Sequence, residues 1–293
     1  MNGKILLVGT VSNVAKSIEK ELKVVLEALS VFNSIEVFLV ESDSRDNTTK
    51  ILSHIKKSLD NFEFVSKGLL SKKLPNRIER IAFCRNVYVE YIRANYKTQK
   101  WNYVAVADLD GMNFKLTRKG IESCFSNDLN WSGIMANQKY GYYDLYALRA
   151  CNWVAEDIFK ELDGLKRNRG LPKRYKNPLI DFLSNFYHYD GLRQEAIYSK
   201  MIKIKKKSAF INVFSAFGGF AIYKPEVFFN SDYSNTSRSF ESEHITFHLS
   251  AGKVGHKFYI NPKLINSNIN EYILNKCVVI RFAREIKKYY YKK

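Results

Sequence analysis

The chain has 293 residues, 46% of them hydrophobic, and a net charge of +18 at pH 7. That apolar content excludes a disordered or fibrous chain, and the length suffices for one large α/β domain or one domain with an appendage. The charge calls for nucleic acid, an anionic membrane or a phosphorylated substrate as partner, set against the plainer reading of a solvated basic face.

In chain order, Met1-Asn2-Gly3-Lys4 leads into the apolar strand Ile5–Val8, too short for a signal-peptide core and far short of a membrane span. An integral protein, or one secreted by that route, is not expected. Asn13–Ser30 reads as a helix, with Ile18, Leu22, Val25, Leu26 and Leu29 at helical spacing. Ile35–Val40 is a second strand, followed by the polar segment Glu41–Thr48 and a helix to about Leu59. Phe62–Val65, a long helix Arg77–Tyr96 and the strand Tyr103–Ala107 complete a βαβαβαβ alternation. Such alternation predicts a doubly wound, mostly parallel sheet with helices on both faces.

Beyond Asp110 the regularity fails. Trp131–Ala136 reads as a strand, Leu165–Asn177 as a basic loop, and Phe217–Tyr223 as a strand containing the Gly218-Gly219 pair. From Tyr272 onward a basic amphipathic helix is expected, with Val278, Val279, Phe282, Ile286 and Tyr289 on one side and Lys276, Arg284 and Lys287 opposite. Cys277–Phe282 reads equally as a strand. The expected organisation is one catalytic domain over residues 1–270, with a nucleotide-binding half (1–110) and an irregular acceptor half (111–270), then a basic tail over 271–293. From Tyr272 to Lys293 this tail holds seven basic residues against one acid, and it is a candidate contact for an anionic membrane. Cys84, Cys124, Cys151 and Cys277 form no C-x-x-C pair and are expected as reduced thiols of a cytoplasmic protein.

The most informative stretch is Val104–Gly111, an apolar strand that stops on Asp108 and Asp110. In open α/β sheets ligands collect beyond the carboxyl ends of the strands. Two carboxylates with one residue between them can share a hard divalent cation, and that cation can hold a diphosphate. An ordinary Asp-Gly turn is the competing reading. Asp46 reads as an N-cap for the helix that follows it. Aromatic density around Trp131 and at Tyr140-Gly141-Tyr142-Tyr143-Asp144 offers stacking faces for sugar rings, or else sheet core. Gly218-Gly219 allows close backbone approach to a ligand, or a bulge.

Val40-Glu41-Ser42-Asp43-Ser44-Arg45-Asp46-Asn47-Thr48 resembles the V-D-D-G-S-T-D-G-T segment of GT-A glycosyltransferases, and Asp108-Leu109-Asp110 stands where their D-x-D motif stands. The longer pattern resembles the fungal capsule mannosyltransferase family and its bacterial relatives. It comprises Glu41 with Ser44 and Asp46, Arg77-Ile78-Glu79-Arg80 with Ala82 and Arg85-Asn86, Tyr143-Asp144 with Arg149, Gly218-Gly219, and Glu243-His244.

The resemblance implies a GT-A-type α/β fold and a metal-dependent hexosyltransferase. Such an enzyme moves sugar from a UDP- or GDP-linked donor to a glycan or lipid-linked glycan in surface polysaccharide synthesis, in the cytoplasm or at the inner face of the membrane. It further implies Thr10 and Glu41 against the nucleobase and ribose, and Arg77, Arg80 and Arg85 near the diphosphate, where guanidinium forks and a helix N-terminus both favour phosphate. Surface pairing with Glu79 is the alternative for Arg80. By the same resemblance Asp110, with Asp108, holds Mn²⁺ or Mg²⁺, and His244 or His248 completes the shell. Glu243 or His244 would serve as general base in an inverting reaction, whereas a retaining one needs no strong base. Trp131, Tyr142, Tyr143, Asp144, Gly218 and Gly219 would face the acceptor.

Three rivals bear on the same residues. Asp-x-Asp-Gly also opens haloacid-dehalogenase-type phosphatases, but Met112 stands where that family carries Thr and no later acidic pair follows an apolar run. A zinc protease needs H-E-x-x-H, and here Glu243 precedes both histidines. A basic nucleic-acid-binding protein would explain the charge, yet the acids at 41, 108 and 110 oppose phosphate unless a cation intervenes.

Overall fold

Apolar runs and amphipathic stretches become strands and helices in the computed structural model, which describes residues 3–126, 128–234, 242–268 and 271–291. The first half contains β1 (Lys4–Val11), α1 (Ile18–Leu29), β2 (Ser34–Glu41), α2 (Thr48–Ser58), β3 (Phe62–Ser66), α3 (Arg77–Gln99) and β4 (Tyr103–Ala107). There follow α4 (Arg118–Glu122), β5 (Gly133–Gln138), α5 (Ile158–Arg169), α6 (Pro178–Ala196), β6 (Ile211–Val213) and β7 (Phe220–Tyr223). The last elements are α7 (Glu243–Lys253), β8 (Phe258–Ser267), α8 (Glu271–Leu274) and α9 (Val278–Tyr291).

The sheet has eight strands in the order β3-β2-β1-β4-β7-β5-β8-β6. β1 to β4 are mutually parallel, β7 runs against β4 and β5, β8 is parallel to β5, and β6 is antiparallel to β8. The expected α/β, mostly parallel, doubly wound sheet is therefore present. Alternation along β1 shows why both faces are covered. Leu6 and Val8 pack with Tyr88, Val89 and Ile92 of α3, whereas Ile5 and Leu7 pack with Leu22 and Val25 of α1 and Leu52 of α2.

Directionality brings the carboxyl ends of β1, β2, β4, β5 and β8 to one edge of the sheet. Reversed β7 adds its amino end there, with Gly218 and Gly219 just before it. The peptide N–H of Asp108 donates to the Gly219 carbonyl at 3.0 Å, joining the two-acid loop to the glycine pair.

Several predicted bounds move for local reasons. The first helix begins at Ile18 rather than Asn13 because Asn13 adopts a left-handed conformation (φ 55°) and binds the loop after β2. The strand expected at Trp131 starts at Gly133, and the one expected at Phe217 starts at Phe220. The predicted basic loop Leu165–Asn177 is helical through Arg169, since Leu, Lys and Arg are good helix formers, and stays irregular only from Gly170.

The tail is helical, which excludes the strand alternative for Cys277–Phe282. Arg281 is buried against Asp190 of α6, at 2.5 and 2.7 Å, and Phe282 packs on Phe182 and Phe186. Val279, expected on its apolar side, is exposed. Lys292 and Lys293 lie outside the described residues, as does the side chain of Tyr289.

Candidate functional site

At the carboxyl edge of the sheet the loops after β1 and β2 are laced together before they can line anything. Asn13 N–H donates to Ser44 Oγ at 3.0 Å, Arg45 N–H to Asn13 Oδ1 at 2.8 Å, and Val14 N–H to Thr48 Oγ1 at 2.8 Å. Asp46 accepts from Thr48 N–H and Ala15 N–H, both at 3.0 Å, and so ties the two loops; the N-cap of α2 is Asn47, one residue later than the sequence indicated. Ser42 and Asp43 thereby face a cavity of about 830 Å³, a volume suited to a nucleotide-sized ligand. Thr10 lines the same cavity.

Glu41 does not. It is buried, with Oε1 accepting from Ser44 N–H at 3.0 Å and Oε2 from the Ser66 hydroxyl, so both oxygens hold the loop in shape. The expected contact of Glu41 with nucleobase or ribose is corrected accordingly, and the carboxylate displayed near that position is Asp43.

Helix α3 presents Arg77, Ile78, Ile81, Cys84 and Arg85 to the cavity, a helical spacing that places them on one side. Asn76 caps it, its side chain accepting from Ile78 N–H at 2.9 Å. Arg77 remains exposed at the first turn, where the helix N-terminus also favours an anion. Arg80 also lines the cavity but pairs with Asp43 at 3.4 Å and donates to the Leu74 and Pro75 carbonyls, so Glu79 is not its partner.

Arg85 corrects another expectation. Only 3% of its side chain is exposed, and its fork is spent on protein carboxylates: Nη2 to Asp108 Oδ1 at 2.8 Å and Nε to Glu243 Oε1 at 3.0 Å. Its plane also lies near the rings of Phe217 and Tyr233. It positions the first acid of the pair instead of offering a free fork to diphosphate.

Beneath the two acids lies a polar floor that sequence reasoning missed. Glu21 of α1 accepts from Gly111 N–H at 2.7 Å and Asn113 N–H at 2.8 Å. Asn113 donates to the Asp108 carbonyl at 2.6 Å, and Asn266 donates to Asn113 Oδ1 at 3.1 Å and to the Gly218 carbonyl at 2.8 Å. Gln138 closes the chain on Gly218 and Asn266. Burial pushes the Glu21 carboxyl up to about 7, with the nearby Asp110 charge adding to the rise against its backbone hydrogen bonds. Gly218 is required here because its φ is 72° and a Cβ would fall 2.8 Å from Gln138 Nε2.

Besides Asp43 and Asp163, the carboxylates that line the cavity are Asp108, Asp110, Asp144 and Glu243. Enclosure, then repulsion from Asp108, pushes Asp110 up to about 6. Asp144 is likewise raised to about 6 by burial, with Asp108 and Glu243 adding to the rise, although Gly218 N–H donates to it at 2.9 Å. Tyr143 stacks on Tyr272 of α8 at 4.9 Å, so the start of the expected tail contributes an aromatic wall. Gly219 lies against this wall, where a Cβ would stand 3.2 Å from the Tyr143 hydroxyl.

Other aromatic expectations fail. Trp131 lies just before β5, at the opposite edge, buried among Tyr103 and Phe125. Tyr142 is fully buried behind the cavity, its hydroxyl accepting from Phe217 N–H at 3.2 Å. Both belong to the core.

The histidines are corrected too. His248 is buried, with Nδ1 bonded to Ser215 Oγ at 3.0 Å and Nε2 to Tyr223 Oη at 2.9 Å, leaving no nitrogen for a metal. His244 touches the cavity but stacks on Phe217 at 3.9 Å, and burial with the Arg85 charge holds its pKa well below the usual range. A neutral, weakly basic imidazole is a poor general base. Among the described residues no three His, Cys, Asp or Glu side chains converge on a metal position.

Burial, reinforced by Arg85, pushes His248 down to about 3 from the ordinary 6.5. A depressed histidine contributes stability that is present above pH 6.5 and lost as pH falls toward 3, about 2 kcal/mol by pH 5. Urea unfolding at pH 7 and pH 5 is expected to show wild type losing about 2 kcal/mol more than His248→Gln. Equal losses would remove this role.

No protein-family model matches the chain, and no curated protein sequence matches it. Solved structures with a similar arrangement include S. aureus TarS 1–349 in complex with UDP-GlcNAc, at 12% identity and a TM-score of 0.47 over 92% of this chain and 59% of that one. Another is the mannosyltransferase PcManGT from Pyrobaculum calidifontis in complex with GDP-Man and Mn²⁺, at 12% identity and 0.47 over 98% and 65%. Glucosyl-3-phosphoglycerate synthase from Mycobacterium tuberculosis in complex with UDP is similar at 10% identity and 0.38, over 91% and 69%. The chain spans about three fifths of the length of the first of these. Similarity at this level assigns no chemistry.

Proposed function

We propose that the protein is a metal-dependent glycosyltransferase that moves a hexose from a UDP- or GDP-linked donor to a glycan or lipid-linked glycan of a surface polysaccharide. The observation that carries this reading is the pair Asp108 and Asp110 at the exit of β4, opening into a cavity whose other walls are Arg77 and the laced loops after β1 and β2. The nucleoside would lie against Thr10, Ser42 and Asp43, and the diphosphate near Arg77.

The donor set fits a hard divalent cation. Asp110 is raised by burial first and by the adjoining Asp108 second, a penalty on its charge that Mn²⁺ or Mg²⁺ would relieve, and oxygen ligands suit both. Asp110 and Asp108 would hold it, and it would neutralise the departing diphosphate. In the reaction the bond from the anomeric carbon to phosphate oxygen breaks, the bond to the acceptor oxygen forms, and the acceptor proton must leave.

Asp144, which lines the cavity, would orient the acceptor hydroxyl and take that proton. Glu243 is bound to Arg85 and His244 is a weak base, so neither keeps the catalytic role expected for it. The lining also carries the apolar Ile158, Leu162 and Met201, beside Asp163 and Lys166, which suits an acceptor carrying both a lipid and a polar portion. No helix among the described residues is long and apolar enough to cross a membrane, so such an acceptor would be met from the surface.

Thermal-shift measurements with UDP- and GDP-sugars, with and without Mn²⁺, test the reading. A metal-dependent rise with one nucleotide class is expected. No response to any nucleotide, together with tight salt-sensitive binding of DNA, would replace it with a nucleic-acid-binding function.

A further inference from the structure

The helix pair α5 and α6 turns through residues 170–177, beyond the part of α5 whose Ile158, Leu162, Asp163 and Lys166 line the cavity. Its inner side is an ordinary core of Leu162, Leu192 and Ala196. The turn is pinned back on α6: the Gly170 carbonyl meets His188 Nε2 at 3.1 Å, Ser184 Oγ donates to the Lys173 carbonyl at 2.9 Å, and Tyr175 N–H donates to Asp181 at 2.9 Å. Upon this ordered scaffold Leu171 is 85% exposed, Leu179 66% and Tyr187 62%, with Ile180 and Tyr175 also exposed. Ile180 and Tyr187, seven residues apart, share one side of α6.

Large apolar side chains held in water by a fixed turn call for a cover. The charge around them identifies it. Lys166 to Lys176 holds six basic residues and no acid. Three of these make ion pairs, Lys166 with Asp163, Arg169 with Glu195 and Arg174 with Asp181, all at the surface, where such pairs are weak and exchange readily for phosphate. Exposed leucines and tyrosines ringed by Lys and Arg are the chemistry that enters an anionic lipid interface.

The polybasic tail is a poorer candidate for this contact than its sequence indicated. Arg281 is committed to Asp190 and lies 4.3 Å from the Tyr198 ring centroid, and Phe282 is packed on α6, so α9 braces the helix pair.

We infer that the α5–α6 turn is a foot that docks this protein on an anionic membrane surface. Leu171, Leu179, Ile180 and Tyr187 enter the acyl boundary, while Lys173 and Lys176 meet headgroup phosphates. The docking stands on the turn alone and does not depend on the transfer reaction.

The full chain is sedimented with equimolar phosphatidylglycerol–phosphatidylcholine vesicles and with phosphatidylcholine vesicles. Binding to the first only is expected. Leu171→Asp/Leu179→Asp and Lys173→Glu/Lys176→Glu should each weaken it about tenfold or more, and Lys287→Glu/Lys288→Glu much less. Circular dichroism and melting confirm that the turn variants are folded, as exposed positions require. The inference is overturned if wild type binds neither vesicle or both alike, or if the tail variant alone loses binding. Conversion of a solution dimer to monomer by Leu171→Asp/Leu179→Asp would also overturn it, making the face an interface between two copies.

Discussion

Asp110→Asn is expected to lower sugar transfer about 10²–10³-fold while the melting temperature of the ion-free protein at pH 7.5 holds or rises. Both parts follow from one arrangement. Enclosure and the adjoining Asp108 hold the Asp110 carboxyl up at about 6, so folding with it ionised is disfavoured, and a neutral amide removes that repulsion. The sign is that of a raised carboxyl: its favourable contribution is complete below the unfolded value and lost as pH rises through 6. An amide oxygen is a weaker ligand for a hard cation than a carboxylate, so the same change empties the proposed metal position. Undiminished activity in the variant, or wild-type activity unaffected by EDTA, would defeat the assignment.

Arg85→Ala should be the most destabilising single change at the site, by roughly 3–5 kcal/mol, because it strands Glu243 and Asp108 without their common counter-charge. Two ring contacts, to Phe217 and Tyr233, go with it. Arg85→Lys keeps the charge but not the fork that reaches both acids, and should recover part of the stability and little of the activity. Urea denaturation reads the first effect. A loss below about 1 kcal/mol in Arg85→Ala would show that the bridge is not what positions Asp108.

The nucleotide-binding half was legible because its strands and helices carry unambiguous periods, and β1 to β4 appear where apolar runs stand. Asp108 and Asp110 were legible for a related reason: a charged residue just past an apolar strand must leave the sheet at its carboxyl edge. What composition and spacing do not carry is direction. Glu41 ends β2 in the same manner as Asp108 follows β4, yet its oxygens turn back on Ser44 and Ser66. Trp131 and Tyr142 are aromatic in an aromatic region, and only the sheet order shows that one stands at the far edge and the other behind the wall.

One missed residue did leave a trace. Glu21 stands among Ile18, Leu22 and Val25 on the buried side of α1, and a carboxylate on an apolar stripe needs a partner inside. Asn113, Gln138 and Asn266 left a weaker trace as amides near the ends of apolar strands. Their mutual bonds join segments up to 153 positions apart, a relation no local pattern contains.

The central claim, that a divalent cation at Asp110 and Asp108 holds the donor diphosphate, is tested most directly by crystallising the protein with Mn²⁺ and a nucleoside diphosphate and recording anomalous scattering from manganese. The predicted result is one manganese peak bonded to the Asp110 carboxylate and to phosphate oxygen, with the base beside Thr10 and Asp43. Manganese bound elsewhere, or a nucleotide seated outside this cavity, would contradict it.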